Sequence, residues 1–177
     1  MTFTLEDLKE AIQLFSTNHC GYLTENCIVA LEKNNHQSGC ILKVFGDDND
    51  DVILTWSTQV ENAEYKESKK FVEHGAEAIS FFIANTYTEF QVIEEAIIGT
   101  GIDYWLGYSS KHPNYDPDNF FSARLEISGI LKESDQNKTS YRVKKKKKQT
   151  IPSDNSTLPA YISIVEFSNP KAYFAKK

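Results

Sequence analysis

The chain reads as one mixed α/β domain of the α+β kind, in which helices cover a central mixed sheet. Three observations point there. Its 177 residues suit a single domain, long enough to bury a core without disulfide or metal staples. Its composition, 40% hydrophobic and 12% aromatic, is that of a folded chain. Its apolar pattern switches between steps of two and steps of three to four, with no internal repeat and no linker between the segments.

Taken in order, Thr4 stands as an N-cap with Asp7 three residues on, and Phe3 and Leu8 are spaced for a hydrophobic staple. A first helix is expected over about 4–17. Asn26 to Thr58 then reads as a β meander: the β-rich run Cys27–Leu31, a turn at Asn34-Asn35, and strands at Gly39–Phe45 and Asp51–Trp56. The acidic loop Gly46–Asp50 between the last two lacks the alternating ligands, central Gly and distal Glu of a calcium loop, so it reads as a solvated hairpin turn. Residues 61–86 are expected to form a long helix, because Tyr65, Phe71, Val72, Ala76, Ile79 and Ile83 recur at near-helical spacing. Strands follow at Glu89–Ile98, Gly101–Tyr108 and Phe120–Leu131. A helix is expected over Gln136–Thr150, and a loop over Ile151–Pro159. Tyr161–Phe167 should form a last strand, stopped by Pro170. The organisation is thus a helix and meander over 1–60, a core over 61–168 and a tail over 169–177.

Other classes are excluded or disfavoured by composition. No apolar run reaches the about 20 residues needed to cross a bilayer. The first eight residues have neither a basic nor an apolar leader segment, so a cytoplasmic location is expected. Cys20, Cys27 and Cys40 fit no common zinc spacing, even with His19 and His36, and read as small buried thiols. Net charge is −6, yet Arg142 and Lys144–Lys148 concentrate 6 of the 19 basic residues within 7 positions. The rest of the chain carries 13 basic against 25 acidic residues, a net −12. An acidic body with one basic edge suits a protein that presents that edge to phosphates.

Strand periodicity singles out two acids. In Phe120–Gly129, the residues Phe121, Ala123, Leu125 and Ile127 share one face, while Ser122, Arg124, Glu126 and Ser128 share the other. Asp103 lies opposite Ile102 and Tyr104 in the preceding strand. Antiparallel pairing would put Asp103 and Glu126 on one face, about 5 Å apart at Cβ. Two like charges at that separation call for a cation or a shared proton. Read from the residues alone, the acids form either a magnesium pair or a turn residue at Asp103 and a solvent-facing or Arg124-paired carboxylate at Glu126. Tyr104, Trp105 and Tyr108 are expected in the core in preference to a base-stacking role. His74 and His112 receive no role.

The succession helix, three strands, helix, strand over residues 61–168 resembles the αβββαβ core of the PD-(D/E)XK nuclease superfamily, the restriction-endonuclease-like fold. Gly99-Thr100-Gly101-Ile102-Asp103 is similar to that superfamily's second-strand motif, and Leu125-Glu126-Ile127-Ser128 to its (D/E)XK motif. The resemblance implies Asp103 and Glu126 as ligands of Mg²⁺ or Mn²⁺. Glu77 (or Glu73) would be the acid that some branches place on the first helix, and Gln149 the glutamine that others carry on the later helix. Ser128 stands where the superfamily has its lysine, so the resemblance requires a lysine from elsewhere, Lys144 or Lys146. It implies a metal-dependent nuclease of the kind found in bacterial defence and mobile-element systems. Nucleic acid, DNA ahead of RNA, would be held by Arg142, Lys144, Lys145, Lys147 and Lys148. The serine and the acidic body also suit a second reading, an inactive nuclease-like scaffold that binds a protein partner.

Overall fold

A computed structural model describes residues 1–12, 14–61 and 65–177. Its centre is one eight-stranded mixed sheet, comprising β1 (Thr2–Thr4), β2 (Cys40–Gly46), β3 (Asp50–Thr55), β4 (Gln91–Glu95), β5 (Tyr104–Gly107), β6 (Ala123–Ile130), β7 (Ala160–Glu166) and β8 (Lys171–Lys176). The strand order is β1-β3-β2-β8-β7-β6-β5-β4. The α-helices are α1 (Leu8–Ala11), α2 (Thr17–Glu32), α3 (Ser68–Tyr87) and α4 (Thr139–Gln149). The mixed α/β class read from the sequence is the one observed, and from α3 to β7 the order is helix, three strands, helix, strand.

Four expectations are corrected. The first helix, expected over 4–17, is replaced by β1, a 3-10 turn at Leu5–Asp7 and the single turn α1. Thr4 makes no side-chain cap, because its hydroxyl accepts a hydrogen bond from Thr55 in the strand beside it. Gln13, within that expected helix, lies outside the described residues. Second, Cys27–Leu31 belongs to α2. Ile28, Val29, Ala30 and Leu31 are all fully buried, and a continuous apolar run that is buried all round has no periodicity to separate helix from strand. The meander is therefore only the β2–β3 hairpin. Third, the tail is strand β8. It pairs antiparallel with β7 and parallel with β2, joining the N-terminal hairpin to the rest of the sheet. The long helix expected from 61 starts at Ser68, and residues 62–64 lie outside the described ones.

The two faces of the sheet are covered by different helices. On β7, Ser163 bonds Ser80 of α3 at 2.7 Å, while Ile162 and Ile164 pack with Val143 of α4. Because side chains alternate along a strand, α3, with α2 packed on it, covers one face and α4 covers the other. All of β6 is buried as a result, including the row Arg124, Glu126 and Ser128. Among the described residues no helix is long and apolar enough to cross a membrane.

At Gly129 the backbone of α3 comes close to β6. A Cβ there would lie 2.3 Å from the Val72 carbonyl oxygen, a backbone atom that cannot turn aside. Gly129→Ala should therefore lower the unfolding free energy by about 1–3 kcal/mol, the usual cost of overpacking. Urea unfolding of variant and parent would check this.

Candidate functional site

The site forms where two paired strands part. Ladder pairing of β5 with β6 ends at Tyr104↔Leu125, and one further bond runs from the Asp103 N–H to the Leu125 carbonyl at 3.0 Å. That register sets Asp103 across from Glu126. Beyond it β6 continues alongside β7 alone, and the Ile127 N–H, with no strand to meet, donates to Asp103 Oδ2 at 2.7 Å. A cavity of about 320 Å³ opens at this edge, between α3 and α4.

Glu126 has no exposed side-chain surface, and Asp103 is partly open. Lys146 of α4 reaches both: its ammonium donates to Glu126 Oε1 and lies 4.0 Å from Asp103 Oδ2. No donor among the described residues reaches Glu126 Oε2. Burial pushes the Glu126 carboxyl up, the Asp103 charge adds to this, and despite the opposing Lys146 it lies at about 7. Burial also raises Asp103, against the pull of Lys146 and the Ile127 N–H. A proton kept on Glu126 can donate to Asp103, which satisfies both acids when no other cation is near.

Helix α4 is held at both ends. Glu133 accepts from the Thr139 N–H at 2.6 Å and from Lys171 of β8 at 2.7 Å. At the other end Gly101 (φ +77°) lies so close that a Cβ would sit 2.1 Å from the Gln149 carbonyl oxygen. Arg142, Lys145, Lys146 and Gln149 line the cavity, and their spacing of i, i+3, i+4, i+7 makes one helical stripe. Arg142 donates to Ser128 Oγ at 3.0 Å and to Asn137 at 2.7 Å.

The structure thus gathers Asp103, Glu126, Ser128, Lys146, Gln149, Glu77 and Glu73 around one cavity. It leaves out Lys144, which is exposed and off the stripe, so of the two candidate lysines only Lys146 arrives. Of the five basic residues proposed to grip nucleic acid, Arg142 and Lys145 line the cavity, whereas Lys144, Lys147 and Lys148 do not. His74, given no role from sequence, lines it too and bonds Glu77 at 3.1 Å. The i, i+3 spacing of His74 and Glu77 was the available signal. Of the aromatics beside Asp103, Tyr104 lies in the core as expected, edge-on to Phe81 at 4.9 Å, whereas Trp105 and Tyr108 are half-buried outside it, stacked on Phe121 at 4.7 Å and on His112 at 4.3 Å. Cys20 and Cys27 are buried free thiols, and Cys40 is half-buried.

Comparison with protein-family models, curated proteins and solved structures returns no match to this chain.

Chemically, the donor set consists of two carboxylates, one with a buried oxygen that no donor reaches. Among the described residues no cluster of three or more His, Cys, Asp or Glu is disposed around a metal. Two carboxylates alone could serve a hard cation only if water and phosphate oxygens completed its shell.

A pH signature follows from Glu126. The folded protein holds this proton to higher pH than the unfolded chain, so stability falls as pH rises from the ordinary 4.5 through about 7. Glu6 and Glu133 act elsewhere. Partial burial opposes the shift in both, yet Ser57 and Thr58 hold Glu6 at about 2, and Lys171 and Thr139 hold Glu133 at about 2. Their stabilisation is complete above the usual carboxylate range. Glu126→Gln should flatten the decline between pH 4.5 and 7; urea midpoints across that range would show it, and an unchanged slope would contradict the assignment.

Proposed function

We propose that the protein is a metal-dependent nuclease that hydrolyses phosphodiester bonds of nucleic acid. The observation that carries this is the Asp103/Glu126 pair at the β5–β6 fork, its glutamate fully buried, with Lys146 delivered to it by α4. Asp103 and Glu126 would hold Mg²⁺ or Mn²⁺, which when bound supplies an acidified water and neutralises phosphate charge. The chain's own residues do the rest. Lys146 brings the positive charge that Ser128 lacks and is placed to orient the attacking water and to face the negative charge that develops on the phosphate. Ser128 instead holds the Arg142 guanidinium in the cavity, where it can bind a phosphate oxygen bidentately. Gln149 adds a neutral donor and acceptor to the same wall. The α3 wall, with Glu73 and Glu77, repels phosphate and biases the backbone towards α4.

This arrangement favours the nuclease over the inactive scaffold, since an acid pair with a lysine between them has no evident use in docking a partner. Incubation with plasmid, single-stranded DNA and RNA in Mg²⁺ or Mn²⁺ is the test. Asp103→Asn and Glu126→Gln should each abolish cleavage, and Lys146→Ala should slow it by about 10²–10³-fold, the usual cost of losing one charge-stabilising group. Absence of metal-dependent cleavage, or cleavage that survives both carboxylate changes, would refute the proposal.

The α4 stripe makes a separate prediction about affinity. Arg142→Ala with Lys145→Ala should weaken binding and reduce the slope of log K against log[salt] by about 1.5–2, from two lost phosphate contacts. Lys144→Ala with Lys148→Ala, off the stripe, should change that slope far less. Salt titrations by fluorescence anisotropy would separate the two pairs.

A further inference from the structure

From His74 on the α3 wall of the cavity, a row of rings runs back to the segment before α2. Phe15, just before α2, stacks on His19 at 4.3 Å between centroids with 29° between planes. His19 is followed by Tyr22 at 6.4 Å, tilted by 56°, and Tyr22 meets His74 of α3 edge-on at 5.0 Å and 60°, so none of these rings stacks on the next beyond His19. His74 is itself part of the cavity wall, across from Arg142 and Lys145. His19 is exposed and Tyr22 is 42% exposed, whereas Phe15 is half-buried against Phe81 and Tyr104 and His74 is half-buried. Single exposed apolar residues are ordinary. A contiguous row from two helices, ending in the cavity that holds the acid pair, is a different matter.

We infer that this row is a stacking platform for unpaired nucleobases, so that the substrate is a single-stranded or locally melted nucleic acid. The inference rests on the nuclease reading above and names its substrate class. The two walls sort the two parts of a strand. Cationic Arg142 and Lys145 suit the phosphates, whereas the ring wall, with Glu73 and Glu77 among its neighbours, repels phosphates and offers planar faces. Base–aromatic stacking tolerates any sequence, because every base has a π-face. In a duplex those faces are already covered by neighbouring bases, so only an unpaired strand can use the row while its backbone follows α4.

The test reads binding without divalent cation, so cleavage does not enter. The probes are a fluorescent dT oligonucleotide, the same oligonucleotide with an abasic tract, and a duplex of equal length. The parent should bind dT at least ~10-fold more tightly than the abasic strand, given the usual contribution of a stacked base, and more tightly than the duplex. His19→Ala with Tyr22→Ala should remove most of that preference and leave abasic binding unchanged, while His19→Phe with Tyr22→Phe should keep it. Circular dichroism of both double variants confirms that they fold. Equal binding of dT and abasic strands, tighter binding of the duplex, or an unaltered preference in the alanine variant would overturn the inference. A base preference lost in that variant, alongside a parent that cleaves nothing in Mg²⁺ or Mn²⁺, would uphold the platform and refute the nuclease. Metal-dependent cleavage indifferent to the alanine changes would do the reverse.

Discussion

The constraint on which the rest depends is the burial of Glu126. A carboxylate with no exposed surface costs several kcal/mol if left unpaired, so it must find a counter-charge or keep its proton. Asp103 across the fork makes the requirement stricter, because it sets a second negative group beside the first. Lys146 meets the requirement only in part, since Glu126 remains at about 7 and its second oxygen is left without a donor. This half-met charge requirement is the physical basis for the proposed metal site.

Much of the fold serves to bring Lys146 there. Neither β5 nor β6 has a lysine at the site, so the charge must come from the helix that crosses between β6 and β7. That helix is tied at its start through Glu133 to Lys171 of β8 and at its end by the close approach to Gly101, two residues before Asp103. The loop that carries one acid thus also buttresses the helix that carries the lysine. Arg124, on the same face of β6 as Glu126, is held by Leu158, Ser153 and Asp154. It is therefore spoken for by the segment after α4 and does not serve as the partner of Glu126. The alternative pairing open from sequence is closed by these bonds.

Local pattern was informative where apolar and polar residues recur at a strand or helix period. The α3 stripe, the β2–β3 hairpin and the alternation along β6 were all legible, as was the shared face of Asp103 and Glu126. It failed where burial is complete on every side, as at Cys27–Leu31 in α2, and where strand pairing with distant partners makes the element, as in β1 and β8. The polar row of β6 was legible as a row, but its burial was not, because α4 covers it from a position about 15 residues further along the chain.

The sequence by itself determined the mixed α/β class, the succession from α3 to β7, and the pair Asp103 and Glu126, because each depends on periodicities of two or 3.6 that neighbouring residues impose. Only the tertiary structure decided which lysine meets those acids. In a run of five lysines every helical direction is represented, so composition cannot choose among them; the packing of α4 on β6 and β7 turns Lys146 to the acids and Lys144 away. The same packing, with α2 and α3 on the far side of the cavity, brought His74 to the site together with Glu77, its i, i+3 neighbour.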